Sequence, residues 1–176
     1  MQKFHTLLAW LILTLLLVHI ALGTVTMLTA HFILQTQFVY LFLCLVLLHA
    51  ALALWKVFHK KGARSWGRYF SENKTYWLRV GTGVSMLVLV WFHMQLWTMK
   101  TGFGVLPKPF GTASLVIQLL FAAVLGVHIL LNLKPLLIDT GLPVSGGGRK
   151  LLTAALVLFV AVALIGAILY YLGVQL

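Results

Sequence analysis

The sequence predicts an all-α integral membrane protein, and its composition and the positions of its charges carry that prediction. Hydrophobic residues make up 62% of the 176 residues, mean hydropathy is +1.05, and only two residues are acidic. A helix needs about 20 apolar residues to cross the hydrocarbon core of a bilayer. Charge-free runs of about that length lie at 5–29, 37–55, 80–99, 112–133 and 151–174. We therefore expect a single transmembrane domain, residues 1–176, with five membrane-spanning helices.

The basic residues predict how these helices are oriented. The formal net charge of +11 comes from lysines and arginines in short segments near the ends of the spans, where charge sets topology rather than binding nucleic acid. If the N-terminus is cytoplasmic, all of the 13 bases except Lys100 and Lys108 fall on the cytoplasmic side. We therefore expect a prokaryotic cytoplasmic membrane protein with its N-terminus inside, its C-terminus outside, lipid around it and no nucleic-acid partner.

Charge, proline and glycine predict the connections between the spans. Residues 56–79 are expected to form the main inner loop, whose seven bases and one acid could contact lipid headgroups or dock a soluble subunit. Residues 101–109 are expected to form an outer loop, because Pro107 and Pro109 lack the amide donor that a helix requires. The stretch 142–148, with its three successive glycines, is expected to be a flexible linker.

Four histidines, His19, His49, His93 and His128, lie in four different spans and at two depths. Counted from the basic residue flanking each span, at a rise of about 1.5 Å per residue, His49 and His128 lie roughly 9–11 Å from the inner boundary. His19 and His93 lie roughly 21–24 Å from it. Spans one and three run outward and spans two and four run inward. The members of each pair would therefore lie on diagonally opposed helices of an up-and-down bundle formed by the first four spans.

These pairs predict two haem sites. Two imidazoles that fill both axial positions of a haem iron leave no position for oxygen and favour electron transfer. Polar side chains inside a bilayer are costly, so four at two matched depths indicate a function. We interpret His49 and His128 as ligands of an inner haem b, and His19 and His93 as ligands of an outer haem b. For any one of them, a hydrogen bond to a neighbouring helix is the alternative. The remaining histidines are interpreted as interfacial residues: His5, His31 and His59.

Three segments resemble the dihaem cytochrome b subunits of succinate dehydrogenases and fumarate reductases. They are residues 49–56 (HAALALWK), residues 82–86 (TGVSM) with a histidine downstream, and residues 128–133 (HILLNL). The likeness covers about residues 8–172 and includes the order of the four histidines. It implies a membrane anchor that carries electrons between quinone or quinol and cytoplasmic iron–sulfur and flavoprotein subunits that interconvert succinate and fumarate. It also implies that His49 and His128 bind the haem nearer the iron–sulfur subunit, and that His19 and His93 bind the other.

The chain departs from this family in its acidic residues. Some dihaem members carry a glutamate two residues before the fourth ligand, where this chain has Gly126, and another acid near the outer end, which the segment 24–37 lacks. The chain therefore lacks the acidic residues that serve proton transfer in those members. A quinone bound at the outer end would need neutral hydrogen-bonding groups, for which the candidates are His31, Gln35 and Gln37. Basic residues one or two helical turns from the inner ligands are candidate partners of the haem propionates: Lys56, Arg79 and Lys134.

The active site for succinate and fumarate is expected in other subunits. The chain has a single cysteine, Cys44, and neither a flavin fingerprint nor a soluble dicarboxylate site. Its own enzymatic part would be quinone reduction or quinol oxidation. Two alternatives stay open: the dihaem cytochrome b of a quinone-linked hydrogenase or formate dehydrogenase, and a haem-free transporter or channel whose histidines relay protons or bind metal.

Overall fold

Five long helices make up almost all of the described chain. The computed structural model describes residues 2–29, 36–59, 73–97, 99–101, 104–106, 110–141 and 146–173. Its helices are α1 Gln2–Thr29, α2 Thr36–His59, α3 Lys74–Trp97, α4 Thr112–Asp139 and α5 Gly146–Tyr171. Each is long and apolar enough to cross a membrane. The prediction of an all-helical, multi-pass membrane protein with five such helices is confirmed, whereas the orientation of its termini stays a prediction.

The connection between α3 and α4 contains a short antiparallel hairpin. Its strands are β1 Met99–Thr101 and β2 Gly104–Leu106, with Lys100 opposite Val105. The expected outer loop therefore contains a small piece of sheet. Two strands of three residues have little stability alone, so this hairpin depends on the helices that it joins.

Two helices extend into the predicted inner loop. α2 continues through Lys56 to His59, and α3 begins at Lys74. The predicted loop 56–79 is therefore wrong at both ends. A flanking base does not by itself end a helix, since a long basic side chain can lie at a helix end and still reach the membrane surface. Residues 60–72, with the other bases of the predicted loop, lie outside the described residues.

Helix α4 contains a proline, Pro135, and continues beyond the predicted span 112–133. Pro135 has no amide proton, so the carbonyl of Leu131, four residues earlier, loses its helical donor. The Nε of Arg79 on α3 donates a hydrogen bond to that carbonyl at 2.9 Å. The helix then runs on and ends at Asp139. Two residues later the chain turns away at Gly141, whose φ of 70° suits a residue without a side chain.

The start of α5 corrects the prediction of a flexible linker. Gly146 and the two glycines that follow form the first turn of α5, so only 142–145 are left of the predicted linker, and these lie outside the described residues. Glycine lowers helix stability by about 1 kcal/mol relative to alanine. In a membrane, however, a helix satisfies its own backbone groups, which strongly favours it over irregular chain.

The best-packed region lies between α1, α4 and α5. Leu133 and Leu137 of α4 and Leu156 of α5 are buried there, and they contact partly buried side chains: Trp10, Leu13, Leu17, Ile129 and Leu152. α3 packs closely on α4, whereas α2 packs mainly on α1 and touches α3 only lightly. Many large apolar side chains are exposed and few are fully buried, as expected where lipid tails surround the helices.

Side-chain contacts identify which helix ends lie together. The hydroxyl groups of Thr112, at the start of α4, and Tyr171, at the end of α5, are 3.0 Å apart. At the opposite end, His5 of α1 lies close enough to Lys56 of α2 and Asp139 of α4 to interact electrostatically with both. We call the end marked by His5, Lys56 and Asp139 the basic end. It is the end that the distribution of charges predicts to face the cytoplasm.

Candidate functional site

His19 of α1 and His93 of α3 lie face to edge within the helical assembly. Their ring centroids are 6.1 Å apart and their planes are 70° apart. A ring nitrogen binds a transition-metal ion at about 2 Å. Since the ring centre lies about 1 Å behind that nitrogen, two imidazoles on opposite sides of one iron have centres about 6 Å apart. The centroid distance matches such a pair, but the face-to-edge arrangement is that of an ordinary aromatic contact, so one ring would have to turn for both nitrogens to face one iron.

Gln118 of α4 fixes the orientation of the His93 ring. The Nδ1 of His93 lies 2.8 Å from the Oε1 of Gln118. An amide oxygen only accepts hydrogen bonds, so Nδ1 carries the proton and Nε2 carries the lone pair. This is the form in which histidine binds a metal through Nε2, with Nδ1 held by an acceptor. Phe121 packs beside the same ring, with centroids 5.1 Å apart.

Thr82 of α3 fixes His128 of α4 in the same way. Its Oγ1 lies 2.7 Å from the carbonyl oxygen of Leu78 and 3.0 Å from the Nδ1 of His128. A hydroxyl has one proton, and the carbonyls of Leu78 and Arg79 both lie within hydrogen-bond distance of it. When that proton goes to either carbonyl, the hydroxyl oxygen accepts a hydrogen bond from the Nδ1 of His128. The Nε2 of His128 therefore carries the lone pair. Two of the four predicted ligands thus have the tautomer that iron ligation requires.

Gly83 brings the backbone of α3 close to His128. A Cβ atom at Gly83 would lie 3.3 Å from the Cε1 of His128, whereas a Cβ atom at Gly81 would have no described neighbour within 4 Å. A contact of 3.3 Å is closer than two carbons normally approach. The missing side chain of Gly83 therefore lets α3 pack against the edge of the His128 ring.

His49 of α2 contacts a histidine that the sequence placed only at the interface. The rings of His5 and His49 are stacked, with centroids 4.6 Å apart and planes 22° apart. His128 lies close enough to His49 to interact with it electrostatically, but among the described residues the two rings make no direct ring contact. The structure therefore places His49 and His128 in the same neighbourhood without bringing their rings together as closely as those of His19 and His93.

Three ring nitrogens in this region are buried without a hydrogen-bond partner among the described residues. They are the Nδ1 atoms of His19 and His49 and the Nε2 atom of His5. A buried polar atom left unpaired costs about 1–3 kcal/mol. Such atoms indicate a functional site, a bound molecule or a water molecule. A haem bound through Nε2 would leave the Nδ1 atoms of His19 and His49 unpaired, so these two atoms fit a bound water or another polar group rather than the iron itself.

The three predicted propionate partners lie in different surroundings. Lys56 is near His49 and His5 at the basic end. Arg79 uses its Nε for the Leu131 carbonyl and has its terminal amino groups left for other contacts. Lys134 is exposed on α4. A role toward a propionate is therefore best placed at Lys56 and at the terminal nitrogens of Arg79.

Only one of the predicted quinone residues can be located. Gln37 is exposed in the first turn of α2. His31 and Gln35 lie outside the described residues. A quinone site built from these three side chains stays a prediction.

The sequence identified the histidines but not the residues that hold them. Gln118 and Thr82 are polar residues within apolar spans, and this is the signal that could have found them, because a polar side chain at membrane depth usually has a partner. His5 gave no comparable signal, since it lies near the end of a span. No protein-family model, curated protein or solved structure matches the chain.

Proposed function

We propose that this chain is a dihaem cytochrome b that serves as the membrane anchor of a quinone-linked oxidoreductase. In this proposal the first four helices form a bundle that holds two haems b, one bound by His19 and His93 and one by His49 and His128. The observation that carries the proposal is the spacing of His19 and His93, together with the hydrogen bond that leaves the Nε2 of His93 able to bind iron.

The residues around His93 and His128 support haem binding in two ways. Gln118 and Thr82 keep the Nδ1 of His93 and His128 protonated, and an acceptor at that position also makes the ligand nitrogen more basic. Their geometry holds each ring in a fixed plane before any ligand binds, which lowers the entropy lost on binding. Haem b bound between such histidines would supply reversible one-electron transfer.

The arrangement of the two pairs supports a path for electrons across the membrane. His5 stacks on His49 and lies near Lys56 at the basic end, whereas His19 and His93 lie farther along their helices from that end. At about 1.5 Å per residue along a helix, the two levels differ by roughly 10–15 Å. An electron could therefore pass between a haem near the basic end and a haem near the hairpin.

We further propose that the soluble partners are an iron–sulfur subunit and a flavoprotein subunit that interconvert succinate and fumarate. They would dock at the basic end, where α2 ends after Lys56 and α3 begins at Lys74, and the sequence between these helices carries four further bases. Quinone would react nearer the opposite end, for which Gln37 is the described candidate. The support for these partners is the sequence resemblance and the charge of this surface.

Purification of the full chain in detergent tests the haem proposal directly. We expect a reduced-minus-oxidised spectrum with haem b bands and two haems per chain by the pyridine haemochrome assay. A colourless protein, obtained from cells with ample iron and haem, would refute the cytochrome and leave the transporter or channel as the better interpretation. Identification of the subunits that copurify then separates the succinate and fumarate enzymes from a hydrogenase or formate dehydrogenase.

A further inference from the structure

We infer that His5 is a positioning residue for His49, and that the stack of the two rings sets the plane in which His49 faces the haem iron. This inference rests on the proposed function. It assigns to His5, the third histidine near the inner site, the role of orienting a ligand without being one.

The surroundings of His5 are those of a packed residue. Its neighbours Thr6 and Leu8 are among the buried residues of the described chain, with 6% and 5% of their surfaces exposed. Val57 of α2, next to Lys56, is also buried. The first turns of α1 therefore pack against the last turns of α2, and the stack of His5 on His49 lies within that contact.

The geometry of the stack excludes the two rings as a ligand pair in their present positions. Planes only 22° apart with centroids 4.6 Å apart present ring faces to each other. Ligands on opposite sides of an iron instead point ring nitrogens at each other, with centres about 6 Å apart. The pair of His19 and His93 has that spacing, so His5 and His49 are related in a different way.

The inner site needs such a stack because His49 has no hydrogen bond to hold its ring. The Nδ1 of His49 is buried and has no partner among the described residues, whereas the Nδ1 of His128 is held by Thr82. Rotation of an imidazole about its bond to Cβ is broad and weakly restricted. A ring packed flat on one face restricts that rotation, and His5 supplies this ring.

Two substitutions separate the stacked ring from the ring nitrogen. His5→Phe keeps a flat ring at this position and removes the nitrogens, whereas His5→Leu removes the ring. Phe4→Leu is the matched control, since Phe4 is the preceding residue and is 54% exposed. The measurements are electron paramagnetic resonance of the oxidised, purified full chain, which reports the relative planes of the two axial imidazoles, and a redox titration of each haem. His49→Ala identifies the signal of the outer haem.

We expect His5→Leu to shift or broaden the inner-haem resonance and to lower inner-haem occupancy at least twofold during purification. The outer-haem signal should stay unchanged, which shows that the protein is folded. His5→Phe and Phe4→Leu should retain the inner-haem resonance of the unaltered protein. The inference is overturned if His5→Leu leaves the inner resonance and occupancy unchanged, or if His5→Phe is as damaging as His5→Leu, which would indicate a role for the nitrogens. Absence of haem from the unaltered protein would instead refute the proposed function.

Discussion

The histidines of α3 and α4 are held differently from those of α1 and α2. His93 of α3 bonds to Gln118 of α4, and His128 of α4 bonds to Thr82 of α3, so each helix holds the histidine of the other. The rings of α1 and α2 are held by other rings instead. His19 contacts His93. It also packs beside Phe42, with ring centroids 5.6 Å apart. His49 stacks on His5.

If haems bind as we propose, this difference means that the histidines of α3 and α4 are oriented before the cofactor binds more firmly than those of α1 and α2. Hydrogen bonds between helices in a membrane contribute about 0.6 kcal/mol on average and up to about 1.7 kcal/mol, and they also fix direction. Ring contacts are less directional. We therefore expect α3 and α4 to form the more rigid half of the proposed haem sites. In α1 and α2 a stacked ring sets the plane of the histidine but leaves the ring freer to slide within that plane.

The largest expected effect comes from removing a ligand. His19→Ala or His93→Ala should remove the outer haem, and His49→Ala or His128→Ala should remove the inner haem, because a single imidazole binds the iron much less tightly than two. Haem content per chain should fall from two to one in each case. In a redox titration, the two variants of one ligand pair should retain the same single haem. If His49→Ala and His93→Ala instead lost the same haem, the assignment would be contradicted.

A smaller effect should follow from removing the groups that hold the rigid ligands. Gln118→Leu and Thr82→Val delete the acceptors of the Nδ1 protons of His93 and His128, and loss of such a partner typically lowers metal affinity by 10- to 100-fold. We expect the rate at which haem transfers to an excess of apomyoglobin to rise for the corresponding haem only. Thr82→Ser keeps the hydroxyl and serves as control. Equal transfer rates in Thr82→Val and the unaltered protein would refute this role.

The next smaller effect should come from disturbing the packing of α3 against the His128 ring. A methyl group at Gly83 would lie 3.3 Å from Cε1 of His128, so Gly83→Ala should displace the ring, and overpacking of this kind costs about 1–3 kcal/mol. We expect a shifted midpoint potential of the inner haem and an unchanged outer haem. Gly81→Ala, two positions away with open space around it, is the control, and an equal shift in both variants would show that the effect is not local.

The elements that the sequence predicted are those governed by short-range rules. Hydropathy over about 20 residues located all five helices. The constant helical rise placed His19 and His93 at matched depths, and the structure has these rings in contact. Neither rule depends on how the helices pack together.

The elements that the sequence did not predict depend on how one helix is rotated against another. The contact of Gln118 with His93 joins residues 25 apart in the chain, and that of Thr82 with His128 joins residues 46 apart. The stack of His5 on His49 likewise joins residues 44 apart. Hydropathy carries no information on such rotations, so these partners became visible only in three dimensions.

The smallest predicted effect concerns the bond that lets α4 pass through its proline. Arg79→Leu should leave the Leu131 carbonyl without a donor and lower the stability of the protein by about 1–3 kcal/mol. Pro135→Ala restores an amide proton at the position that bonds to that carbonyl. In a protein that already carries Pro135→Ala, Arg79→Leu should therefore lower the stability by less than it does in the unaltered protein.

A double-mutant cycle on thermal unfolding in detergent measures this coupling, with Lys134→Leu as the control for loss of an exposed charge. Additive effects of Arg79→Leu and Pro135→Ala would show that Arg79 does not replace the missing donor. The same variants test the proposed contact with a propionate. If a terminal nitrogen of Arg79 binds a propionate of the inner haem, Arg79→Leu should also shift the midpoint potential of that haem. Since Pro135→Ala changes the backbone contact alone, it should leave that potential where it is, and this separates the two roles of one side chain.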